Sequence, residues 1–101
     1  MDMQVQHNGD TSTIIIHKEK LFGTENESFK TLIKDSIEAG SKNIVVDLSN
    51  VNFITSSGIE SFVHACAVCK VKYVSFTLKN LTSHVKDVFS TLRLTDIMKI
   101  D

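Results

Sequence analysis

Apolar residues recur along this chain with two different periods. Residues 13–17 (TIIIH), 44–48 (IVVDL) and 73–78 (YVSFTL) are near-continuous runs rich in β-branched side chains, the pattern of buried strands. Elsewhere apolar positions return every three or four residues. Phe29, Leu32, Ile33 and Ile37 do so with Ser36 on the same face, as do Ile59, Phe62, Val63 and Cys66, and then Val85, Val88, Phe89 and Leu92. That spacing predicts three amphipathic helices. Thr24 and Glu27 have the spacing of a capping box at the start of the first, and Gly40 stands where that helix should stop. Residues 3–8 read as a short, mostly polar edge strand and residues 18–23 as a loop. The tail from Arg93 fits either a short strand or a helical turn, anchored by Leu94, Ile97 and Ile100.

The resulting order is strand, strand, helix, strand, helix, strand, helix, tail. Such alternation implies an α/β fold: one domain over residues 1–101, with packed helices and a mixed, mostly parallel sheet that is antiparallel only at its first edge. In sheets of this kind the functional loops lie at the carboxyl ends of the strands. The segment TSSGIE, residues 55–60, follows the strand at 44–48 by a short connection, so it is expected at that end.

Composition removes several alternatives. A length of 101 residues suffices for a core without disulfide or metal staples. The formal net charge of −1 lacks the basic excess of a nucleic-acid-binding domain. No apolar stretch reaches membrane-span length, and the start Met1-Asp2-Met3-Gln4 does not have the order of a signal peptide. These features lead to the expectation of a cytoplasmic protein, with no membrane partner and two reduced cysteines.

The pattern in TSSGIE has two readings that share the same physics. With Ser57 as N-cap, Glu60 completes a capping box, each side chain bonding the other residue's backbone N–H. That alone is a structural reason for both. Yet Thr55, Ser56 and Ser57 supply three consecutive hydroxyls, and Gly58 removes a side chain beside Ser57 and permits close approach of another backbone. A hydroxyl at a helix N-terminus also suits phosphorylation, because unpaired N–H groups and the helix dipole stabilise the added charge. Local pattern leaves the two readings open.

At this point the chain resembles the STAS-domain anti-sigma factor antagonist family. The resemblance runs over nearly the whole chain and is most specific in residues 46–58, where Asp47, Leu48, Ser49, Val51, Phe53, Ser56, Ser57 and Gly58 fit the family pattern. In phosphorylatable members the hydroxyl residue immediately before this glycine is the phosphoacceptor, which here is Ser57. The resemblance implies a non-enzymatic antagonist without a cofactor, monomeric or weakly dimeric. Its partners would be a serine kinase that doubles as the anti-sigma factor and a PP2C-type serine phosphatase. Thr55, Ser56, Gly58, Ile59 and Glu60 would face the partner, and Glu25 would take an acidic position usually supplied by a Gly-Glu-Leu-Asp turn. Thr55 stands where the family usually has aspartate, Glu60 where a second glycine is common, and residues 69–72 replace a glycine pair. An alternative within the same fold is an unphosphorylated scaffold subunit of a stressosome-type or transport assembly.

Cys66 and Cys69 form a CxxC, but toward the end of the second helix, where the dipole raises rather than lowers a thiol pKa. With no second pair and with His64 and His84 isolated, zinc lacks ligands, and Cys66 reads as a buried structural thiol. No Gly-x-Ser-x-Gly elbow or glycine-rich phosphate loop is present, so a hydrolase or nucleotide-hydrolysing enzyme is not indicated.

Overall fold

The computed structural model describes residues 3–21 and 24–101, without the side chains of Leu21, Thr24 and Glu25. Strand β1 (Met3–Asn8) turns back antiparallel onto β2 (Thr11–Ile16) through Gly9-Asp10. Gly9, at φ +62°, supplies the positive φ that such a two-residue turn needs. After the short strand β3 (Lys20–Leu21) come helix α1 (Thr24–Glu38) and β4 (Asn43–Asp47). Short β5 (Phe53–Ile54) leads into α2 (Ser56–Val71), followed by β6 (Ser75–Lys79), α3 (Ser83–Thr91), a 3-10 turn at Leu94–Asp96 and β7 (Lys99–Ile100).

The main sheet has the order β1-β2-β4-β6-β7, with only the first pairing antiparallel. Its three crossovers each advance one place in the same direction. Right-handed crossovers of that kind set all the helices on one face. Burial follows suit. Ile14, Ile16, Ile44, Val46 and Leu78 on that face are 0 % exposed, whereas Thr13, Ile15, Val45 and Asp47 on the other are half-buried. The apolar runs therefore belong to strands covered fully on one face only. Each fully buried aliphatic or phenyl side chain contributes about 1.5–3 kcal/mol. Phe29, Phe62 and Phe89 link the helices, with Phe29 edge-on to Phe62 at 4.9 Å between centroids and Phe62 at 6.0 Å from Phe89.

Helix α1 stops as expected. Gly40, at φ +98°, follows the last helical residues, with Gly40 N–H donating to Ile37 O and Ser41 N–H to Ser36 O. This is the Schellman pair of C-terminal bonds. The same pair closes α2, from Tyr73 N–H to Lys70 O and Val74 N–H to Cys69 O, but there the left-handed position belongs to Tyr73, at φ +58°. Strand β6 accordingly begins at Ser75 rather than Tyr73.

Several sequence expectations change in detail. The buried stripe of α2 is Gly58, Ser61, Phe62, Ala65, Cys66 and Cys69, so Val63 lies at its exposed edge. Leu92 caps α3 from outside the core, half exposed. The tail is both turn and strand, and Leu94 and Met98 are its buried anchors while Ile97 points outward. The loop expected at 18–23 carries β3, paired in parallel with β5. The expected capping box of Thr24 with Glu27 lies outside the described residues; the Glu27 carboxylate meets Lys30 Nζ at 3.9 Å.

Candidate functional site

The site is built at the carboxyl end of β4, as the topology requires. Asp47 ends the strand and accepts the Ser49 backbone N–H at 2.9 Å, turning the chain. Burial works to raise the Asp47 pKa, but hydrogen bonds from Ser49 and Asn80 and the charge of Lys79 outweigh it and hold the carboxyl below its ordinary value. Leu48 and Val51, both 0 % exposed, plug the turn into the core. The Thr82 hydroxyl donates to Val51 O at 2.7 Å, and the Asn52 and Phe53 N–H groups donate to Glu19 O. These bonds and the β3–β5 pair deliver the chain to Thr55 at a defined angle.

Thr55, not Ser57, is the N-cap of α2. Its backbone is extended (φ −92°, ψ 170°), and its Oγ1 accepts from the Gly58 N–H at 3.3 Å. Helical geometry thus begins at Ser56. Glu60 is exposed, and among the described residues no hydrogen bond joins its carboxylate to the Ser57 backbone, so the capping box expected between Ser57 and Glu60 does not form. Threonine and serine are both good caps, so the triplet offers three candidate positions that local pattern does not rank.

Relieved of capping, Ser57 is an exposed hydroxyl in the first turn of α2. Asn26, in the first turn of α1, reaches across and donates from Nδ2 to Ser57 Oγ at 2.7 Å. Thr55 Oγ1 lies 3.5 Å from the same oxygen. On its far side the Ser57 carbonyl accepts the Ser61 hydroxyl at 3.1 Å. Asn26 is 8 % exposed, a buried amide aimed at an exposed hydroxyl. The starts of two helices meet here, and the positive ends of their dipoles favour negative charge.

Of the residues singled out in sequence, Thr55, Ser56, Ser57 and Glu60 are exposed at this corner, Ile59 is half-buried and Gly58 is buried beneath it. The Glu25 side chain lies outside the described residues. Sequence reasoning missed Asn26, although it falls three residues before Phe29 and seven before Ile33, on the buried stripe of α1. A polar residue on an apolar face was the available signal. It also missed the shoulder beside the site, where Phe53 is 46 % exposed, Lys20 Nζ lies 5.7 Å from its ring centre and the His84 ring lies 5.6 Å away.

Cys66 and Cys69 are both free and buried, away from this corner, with the Cys66 thiol donating to Ile97 O at 3.4 Å. Burial first, and the neighbouring Cys66 second, push the Cys69 pKa from 9.0 up to about 11. That is the reverse of a reactive thiol. Among the described residues no group of three His, Cys, Asp or Glu could hold a metal ion, and no helix is long and apolar enough to cross a membrane.

A mixed five-stranded sheet with three helices on one face, and a strand-to-helix turn presenting hydroxyls at its carboxyl end, defines a STAS-type α/β domain. The chain belongs to the STAS domain family, which matches residues 2–101. Its fold is similar to that of the anti-sigma factor antagonist SpoIIAA in its unphosphorylated form, at 20 % identity, TM-score 0.81, covering 98 % of this chain and 87 % of that one. An anti-sigma-factor antagonist (STAS) domain protein from Planctomyces limnophilus is similar too, at 20 % identity and TM-score 0.81, with 99 % and 88 % covered. The Bacillus cell fate determinant SpoIIAA in its phosphorylated form gives TM-score 0.71 at 18 % identity, with 98 % and 90 % covered. Comparison with curated proteins yields no match.

Proposed function

We propose that this STAS domain is a non-enzymatic, cytoplasmic anti-sigma factor antagonist, switched by reversible phosphorylation of Ser57. The observation that carries the reading is the exposed Ser57 hydroxyl, held by Asn26 in the first turn of α2, immediately before Gly58. SpoIIAA, whose fold is similar, has a structure in a phosphorylated form. In the transfer, Ser57 Oγ attacks the γ-phosphorus of ATP held by the kinase. The new O–P bond forms as the bond to the bridging oxygen breaks, ADP leaves, and the hydroxyl proton passes to a base of the kinase. The PP2C-type phosphatase reverses the mark by attack of water on phosphorus, releasing inorganic phosphate and the serine hydroxyl.

Unmodified, the protein binds the kinase that serves as the anti-sigma factor and so frees the sigma factor. The phosphate adds about −1.5 to −2 charges at the corner where the partner docks. Thr55, Ser56, Ile59 and Glu60 flank it at the start of α2, so the mark blocks the surface without unfolding it. Partner affinity and backbone NMR spectra of the unmodified and Ser57-phosphorylated protein test this. Near-identical spectra with binding lost are expected. Retained binding, or a spectrum rearranged throughout, would overturn the proposal.

A further inference from the structure

Asn26 stands out as a nearly buried side chain whose polar end points at the one atom the proposed switch modifies. An amide is ambivalent. Its carbonyl can accept from a hydroxyl, while its NH2 can donate to a hydroxyl oxygen or to an anion. Here the NH2 faces Ser57 Oγ at 2.7 Å. A carboxylate in its place could only accept and would oppose a phosphate.

We propose that Asn26 is the positioning residue that holds the phosphorylated form of Ser57. Its Nδ2 moves from the hydroxyl oxygen to a phosphate oxygen two bonds further out, through phosphorus, and the two helix starts share the charge. This rests on Ser57 as the modified residue and specifies how that site is regulated. Asn26 presents Ser57 to the kinase and then stabilises the dianionic phosphoserine, so the mark is retained in one orientation instead of trailing into solvent. Burial of Asn26 fixes the geometry, because an 8 % exposed amide has little freedom to swing away.

The test installs phosphoserine at position 57 of the full chain by translation or ligation. It then follows the second phosphate ionisation by phosphorus NMR in the parent chain, Asn26→Asp and Asn26→Ala. Loss of a donor to the dianion raises that pKa, and an adjacent carboxylate raises it further. Asn26→Asp, which keeps the size of the side chain, is expected to shift it upward by about one unit. Asn26→Ala should give a smaller upward shift. Phosphoserine installed at position 56 is the control for a general field effect and should move much less. An unchanged second pKa in Asn26→Asp, or equal shifts at positions 56 and 57, would overturn the proposal. Whether a host kinase marks Ser57 is read separately by mass spectrometry. Failure there would sink the switch while leaving the titration interpretable.

Discussion

The ends of α1 and α2 form a matched pair in which the same hydrogen bonds close both helices, with Gly40 at one left-handed position and Tyr73 at the other. Placing Cβ in the left-handed region costs an L-residue about 1–2 kcal/mol. Glycine removes that cost but adds about 0.5–1 kcal/mol of backbone entropy to be lost on folding. Tyr73 is 95 % exposed, so its ring contributes almost no packing that the substitution would forfeit. Tyr73→Gly is therefore expected to stabilise the domain by about 0.5–1 kcal/mol. In a domain of this size that raises Tm by about 2–6 °C. Gly40 gives the converse. A Cβ there meets nothing within 4 Å, so Gly40→Ala isolates the same backbone balance with its sign reversed and should destabilise by about 0.5–1 kcal/mol. Urea unfolding of both variants is the assay, with the midpoint moving in opposite directions and the slope unchanged. A lower midpoint for Tyr73→Gly, or a neutral Gly40→Ala, would refute the reasoning.

Other consequences are equally open to measurement. Phe62→Ala removes the ring that touches both Phe29 and Phe89 and should cost about 3–5 kcal/mol in denaturant unfolding. The Cys69 thiol, raised to about 11, keeps its proton in the folded state after the unfolded chain has lost it, so stability should fall as pH rises from about 9 to 11. A Cys69→Ala variant, less stable at neutral pH, should lose much of that dependence. A thiol reagent at pH 8 should spare Cys69 until the protein unfolds. Asp47 has the opposite sign. Its depressed folded pKa contributes stability above the ordinary value of 3.8 that is lost as pH falls through the folded value. The stability difference between parent and Asp47→Asn should accordingly shrink on acidification.

The mostly parallel sheet, its antiparallel first edge and the three helices were legible because period and element order act on the whole chain. Ile14, Ile16, Ile44, Val46 and Leu78 had to share a face once the crossovers ran one way. Gly40 was legible for the same reason, since only a left-handed position at a helix end asks for glycine there. Tyr73 was not, because a tyrosine beside a strand-like run reads as the first strand residue. The N-cap was placed two residues late, since three hydroxyls in succession carry no local preference that the incoming strand angle does not decide. That angle comes from β3 pairing with β5 and from Glu19 O accepting two N–H groups, contacts across more than thirty residues that no local pattern exposes. Asn26 depends on two helix starts meeting, which periodicity does not locate.

Whether Ser57 is a phosphoacceptor is decided by peptide-resolved mass spectrometry. The protein and its Ser57→Ala variant are incubated with ATP and a lysate of the native host that phosphorylates a control substrate. A single phosphoryl group on Ser57, absent from the variant, is the expected result. No modification, or a mark that persists in Ser57→Ala, would rule out Ser57 as the switch and leave the corner as a helix start on a constitutive binding scaffold.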